Sequence, residues 1–123
     1  MRDKIIIKII QFIIIIMVYK ITEYSQNKIK ELNDKLKTDA FSIKPSTDKS
    51  KKIDVFMFDK VIASIGAIKP GGIPYLDYPN YLKIRGEEYA NRRKKLYYER
   101  HANEPTITDG KVTPSWFAKW ILW

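Results

Sequence analysis

IDVFMFDKVIASIGAI, residues 53 to 68, is a β-rich stretch. Val, Ile and Phe dominate it, and the charged pair Asp59-Lys60 divides it into two halves. That composition predicts two short strands with a turn near Asp59. A helix is the rival, because Phe58, Val61, Ile65 and Ile68 fall close to a 3.6-residue period. Gly66 would interrupt such a helix, so strands are the reading adopted.

Downstream, KPGGIPYLDYP reads as a Pro/Gly loop whose neighbouring tyrosines, Tyr75, Tyr78 and Tyr81, are half-buried with wet hydroxyls. Glu87 to His101 then makes a basic helix, with glutamates in its first turn and Arg100 and His101 in its last, as the helix dipole prefers. Arg92, Arg93, Lys94, Lys95 and Arg100 are the candidates for contact with phosphate or an acidic partner. The plainer reading is a solvated charged face on a helix packed by its tyrosines.

Asp109-Gly110 marks a turn, and Thr113-Pro114 supplies an N-cap followed by proline at the first helical position. In the closing SWFAKWILW, Trp116, Trp120 and Trp123 recur at i, i+4 and i+7 with Phe117 beside them. They suit a partner-docking surface, the domain's own core, or an aromatic belt at a membrane interface.

Upstream, SIKPSTDKSKK is almost free of apolar residues, so residues 38 to 52 read as a linker. Residues 22 to 37 place Ile29, Leu32 and Leu36 in one narrow stripe on a charged helix, a stalk. Residues 1 to 21 are nearly continuous isoleucine. From Ile5 to Ile21 they would span roughly 25 Å as a helix, the short end of a membrane crossing. Ile5, Ile9, Phe12 and Ile16 would face lipid, with Tyr19 at the headgroups. The module proper is then residues 53 to 123. The expected architecture is a small α+β chain: membrane helix, helical stalk, linker, short strands and two C-terminal helices. A core this small is expected to need a partner for its order.

The formal charge of +9 and a pI near 9.6 call for an anionic neighbour. With no cysteine, disulfides, thiolate metal sites and cysteine nucleophiles are excluded. His101 is the only histidine, which makes neither a metal site nor a triad, and no phosphate loop or nucleophile elbow occurs. Neither an enzyme, a cofactor nor a small-molecule substrate is expected.

SIGAIKPGGIPYLDYP, RRKKLYYERH and TPSWFAKWILW, in that order, resemble a family of small proteins from large double-stranded DNA viruses. The family pattern sets a Gly after a strand, an Asp-Tyr pair, a basic Arg-Lys-Tyr-Arg-His stretch, and an aromatic block ending Trp-x-Leu-Trp. Gly66, Asp77-Tyr78, Arg92 to His101 and Trp116 to Trp123 match it, across roughly residues 60 to 123. The family places Phe before Trp, where this chain has Trp116 then Phe117, and family members run on past the final tryptophan. The resemblance implies a viral origin. The expected function is then a structural protein, a membrane-anchored minor capsid component on a virion's internal membrane, docked on shell proteins. The alternatives are a nucleic-acid-binding module and an accessory subunit of an organellar membrane complex.

Overall fold

The computed structural model describes residues 3–9 and 19–123. Helix α1 (Glu23–Leu36) leads into strands β1 (Phe41–Pro45), β2 (Lys51–Met57) and β3 (Lys60–Ala67). Helices α2 (Tyr78–Arg85) and α3 (Glu87–Arg100) follow, then the small hairpin of β4 (Ile107–Thr108) and β5 (Lys111–Val112), then α4 (Pro114–Leu122). The three longer strands form one antiparallel meander in the order β1-β2-β3.

The strand reading of residues 53 to 68 is the one the chain adopts. Met57 pairs with Lys60 across a two-residue turn, in which Phe58 takes a left-handed φ of 53°. Side chains alternate faces along a strand, so Ile43, Ile53, Val55, Ala63 and Ile65 share one side of the sheet. Ile29 and Leu32 of α1 and Phe117, Ile121 and Leu122 of α4 complete a single buried cluster with them. Each such aliphatic side chain contributes about 1.5–3 kcal/mol of burial. Three polar side chains fix this layer. Ser25 Oγ donates to the Ile121 carbonyl at 2.9 Å, and Trp120 Nε1 donates to the Lys28 carbonyl at 3.0 Å. Asn33 clamps the Phe41 backbone, donating to its carbonyl at 2.8 Å and accepting its N–H at 3.1 Å.

Several expectations are corrected here. Residues 22 to 37 are no stalk, because Ser25, Ile29 and Leu32 of α1 are buried in the core and only Leu36 of the expected stripe faces solvent. Residues 38 to 52 are no linker. They supply edge strand β1 and the start of β2, and with Ser64 of β3 their Ser46 and Thr47 satisfy a buried carboxylate. Ser46 and Ser64 hydroxyls donate to Asp54 at 2.6 and 2.7 Å, and the Thr47 N–H donates at 3.3 Å. Pro45 is tolerated because it ends an edge strand. Three helices follow the sheet instead of two. The extra one, α2, starts at Asp77, whose N–H donates to the Asn80 side chain at 2.9 Å.

The membrane helix is overturned as well. Among the described residues no helix is long and apolar enough to cross a membrane. Residues 3–9 are helical, with Ile5 and Ile9 exposed. Phe12 and Ile16 lie outside the described residues. Tyr19 and Ile21, expected at the far end of the span, pack against the protein's own core. Phe117 and Trp123, expected at a docking surface, are buried within the chain.

Candidate functional site

On the face of the sheet opposite the apolar core, Lys52 and Asp54 alternate with Ile53 and Val55. Lys52 is 1 % exposed and its ammonium donates to both Asp77 oxygens, at 2.8 and 2.9 Å. The aliphatic stem reaches that carboxylate by crossing Gly66 on β3. A Cβ at position 66 would lie 2.6 Å from the Lys52 stem, and the backbone there has φ +83°. Only glycine meets both conditions. Asp77 in turn opens α2, so this one ion pair ties the helix pair α2–α3 to the sheet. Burial pushes the Asp77 carboxyl up, against the lowering effect of Lys52, and pushes the Lys52 amine down, against the raising effect of Asp77. Removal from water outweighs the pairing on both sides. Tyr19 covers the pair, with the Lys52 ammonium 5.6 Å from its ring centre. Burial first, and then the Asp77 charge, raise the ionisation of its hydroxyl far above the ordinary value.

Beside this pair the sheet, α3 and α4 enclose a cleft of about 670 Å³. Its aromatic wall is a ladder: Tyr97 stacks on Trp123 at 4.6 Å and 13°, and lies 4.3 Å from the His101 ring. Tyr97 is pushed up to about 12 by burial, then by the charge of Glu104. Arg93 lies over Tyr81, 5.2 Å from its ring centre, and lines the cleft together with Arg100. At the rim Glu104 takes the Ser115 hydroxyl on one oxygen and the His101 Nδ1 on the other. Those two contacts, Ser115 first, hold the Glu104 carboxyl below the usual range. The order Ser115–Glu104–His101 puts the carboxylate between hydroxyl and imidazole. A nucleophile needs the base beside it, so the three do not make an acyl-transfer triad. Among the described residues no cluster of three His, Asp or Glu side chains could hold a metal ion.

The five cations predicted on α3 do not share one face. Arg93 and Arg100 line the cleft. Arg92 is exposed over Tyr89, and Lys95 is exposed. Lys94 is half-buried over Tyr78, where burial and then Lys28 lower its pKa. The aromatic block is divided too. Phe117 and Trp123 are buried, while Trp116 and Trp120 are half-buried and stacked on each other at 6.1 Å. The Lys28 and Lys35 ammoniums sit 4.4 and 4.9 Å from the Trp120 ring.

Sequence reasoning missed Lys52, Asp77 and Ser115 as members of a site. The signal for Lys52 was the alternation in KKIDVFM, which sets a Lys and an Asp on the face opposite Ile53 and Val55. The signal for α2 was Asp77 followed three residues later by Asn80, a capping pattern hidden inside a Pro-rich stretch.

No protein-family model, curated protein or solved structure matches this chain.

Proposed function

We propose that the chain is a small structural docking component of a virion, binding an acidic, apolar-centred patch on a neighbouring shell protein through its α2–α3 helix pair. The observation that carries this reading is α2 itself. It buries none of its residues, yet presents Leu82 at 40 % and Ile84 at 63 % exposure. Leu96 on α3 is exposed as well, and so are Lys83, Arg85, Arg92 and Lys95, with Glu87 and Glu88 at the start of α3. Exposed apolar side chains among mainly basic ones suit an oppositely charged partner. The virion setting comes from the viral resemblance of residues 60 to 123.

Phosphate contact along a nucleic acid would need one continuous cationic track. With Arg93 and Arg100 at the cleft and Lys94 half-buried, Arg92 and Lys95 alone remain on the open side of that stretch, which favours the protein partner.

Cross-linking mass spectrometry on purified virions tests the reading. Cross-links from Lys83 and Lys95 to an acidic shell protein are expected, and Leu82→Gln with Ile84→Gln should abolish incorporation. Particles that lack the chain would remove the virion role. Particles that hold it through another surface would remove the docking face.

A further inference from the structure

We infer that the cleft between β3, α3 and α4 is a binding site for a small organic phosphate monoester. This goes beyond docking by α2 and the outer side of α3, because the site lies on the other side of α3.

Every carboxylate lining the cleft is already engaged by the cleft's own wall. Asp77 gives both oxygens to Lys52, and Glu104 gives both to His101 and Ser115. The two arginines are not engaged in the same way. Among the described residues neither Arg93 nor Arg100 has an ion pair, and the Arg93 Nε is buried without a hydrogen-bond acceptor. A buried donor without an acceptor is costly, and a guanidinium fork is shaped for a planar or tetrahedral oxyanion. Two guanidiniums with the local side-chain carboxylates otherwise occupied fit a dianion better than a single carboxylate.

The rest of the ligand follows from the walls. The volume is that of a site for a small metabolite, well beyond a bare phosphate ion. Tyr97 is stacked on Trp123 and lies close to the His101 ring, so little of its own ring is open to a ligand. Pro114 and Ala118 of α4, with Leu76, supply an apolar surface for an organic body. The ligand class is therefore a phosphate head held by Arg93 and Arg100, with a compact apolar body lying toward α4.

Isothermal titration calorimetry of the full chain with phenyl phosphate, benzoate and inorganic phosphate tests this. Phenyl phosphate should bind saturably and tighter than the other two. Arg93→Met should weaken it by about tenfold or more, as expected for loss of a charged bidentate contact. Arg100→Gln, at an exposed position where folding is not at risk, should weaken it in the same direction and decides the matter if Arg93→Met does not fold. Leu82→Gln should leave it unchanged, which separates this site from the docking face. No saturable heat, equal affinity for benzoate, or an affinity indifferent to both arginine substitutions would overturn the assignment.

Discussion

The two halves of this molecule are held together by different chemistry. In the layer made by α1, the sheet and α4, apolar side chains interlock: Ile29, Ile53, Val55, Ile65, Phe117 and Ile121 are all nearly or wholly inaccessible. In the α2–α3 pair the only buried residue is Ala90. That pair is attached through a buried ion pair, Lys52 with Asp77, and through an aromatic ladder, Tyr97 on Trp123. The first kind of attachment is non-directional and tolerates repacking. The second depends on a few atoms at fixed distances, so it leaves the outer surface of the helices free for other uses.

The largest expected effects come from breaking each attachment once. Lys52→Met strands a buried carboxylate and should cost about 3–5 kcal/mol, as should Asp77→Leu. Ile121→Ala removes a fully buried side chain and should cost about 2–5 kcal/mol. The two losses differ in kind. Lys52→Met with Asp77→Leu replaces the pair by apolar groups and should recover most of the single-variant loss, short of about 1 kcal/mol for the lost α2 cap. No second change near Ile121 short of refilling its volume should do so. Urea denaturation of the four proteins measures both. A double variant no better than the singles would mean that the pair carries a geometry apolar contact cannot supply.

The same contrast explains what was legible in the sequence. The β2–β3 hairpin, the Asp109-Gly110 turn and the Thr113-Pro114 start of α4 are written locally, in alternation, turn residues and caps. At the turn, Asp109 and Gly110 both take positive φ, 54° and 74°, and at the helix Thr113 accepts the Trp116 N–H at 3.3 Å. Residues 41 to 52 were misread because Ser, Thr, Lys and Asp look alike in a linker and around a buried carboxylate. What distinguishes the cases is Asp54, which lies beyond the segment. The helix α1 was misread because a three-residue stripe fits any partner, and the partner here, Ile121 and its neighbours, is some ninety residues away in the chain. Tyr19 and Ile21 were misread in the same way, since such side chains suit lipid and core alike. The cleft was invisible for a further reason. It joins Gly66, Asp77, Arg93 and Ser115 from four separate segments, and no spacing rule connects them.

A smaller effect distinguishes the two buried carboxylates by pH. Burial pushes Asp54 upward, but the hydrogen bonds from Ser46, Ser64 and Thr47 together hold it below the usual carboxylate range. Between its folded and unfolded pKa values the unfolded chain binds more protons. Its contribution is therefore complete above about pH 4 and is lost as the pH falls through the folded value. Asp77, raised by burial, has the opposite sign: its contribution is present in acid and is lost as the pH rises through its folded value. Asp54→Asn should cost about 1 kcal/mol at pH 7, the difference between charged and neutral hydrogen bonds. It should also flatten the acid-side loss of stability below about pH 4. Denaturation midpoints measured from pH 7 down to acid check this, and an unchanged acid limb would show that Asp54 is not held low.

The smallest effect belongs to the open face of the helix pair. Leu82 and Ile84 lie on α2 with no buried neighbour on their own helix, and glutamine is a good helix former. Leu82→Gln and Ile84→Gln should each stay within about 0.5 kcal/mol of the parent in the isolated chain. That near-silence gives these positions their diagnostic value. Side chains that do not stabilise their own fold are free to serve the proposed docking contact. If either change instead cost more than about 1.5 kcal/mol by thermal denaturation, outside the range of surface substitutions, the helix pair would belong to the core. The contrast between the two halves would then collapse, and the docking reading would lose its surface.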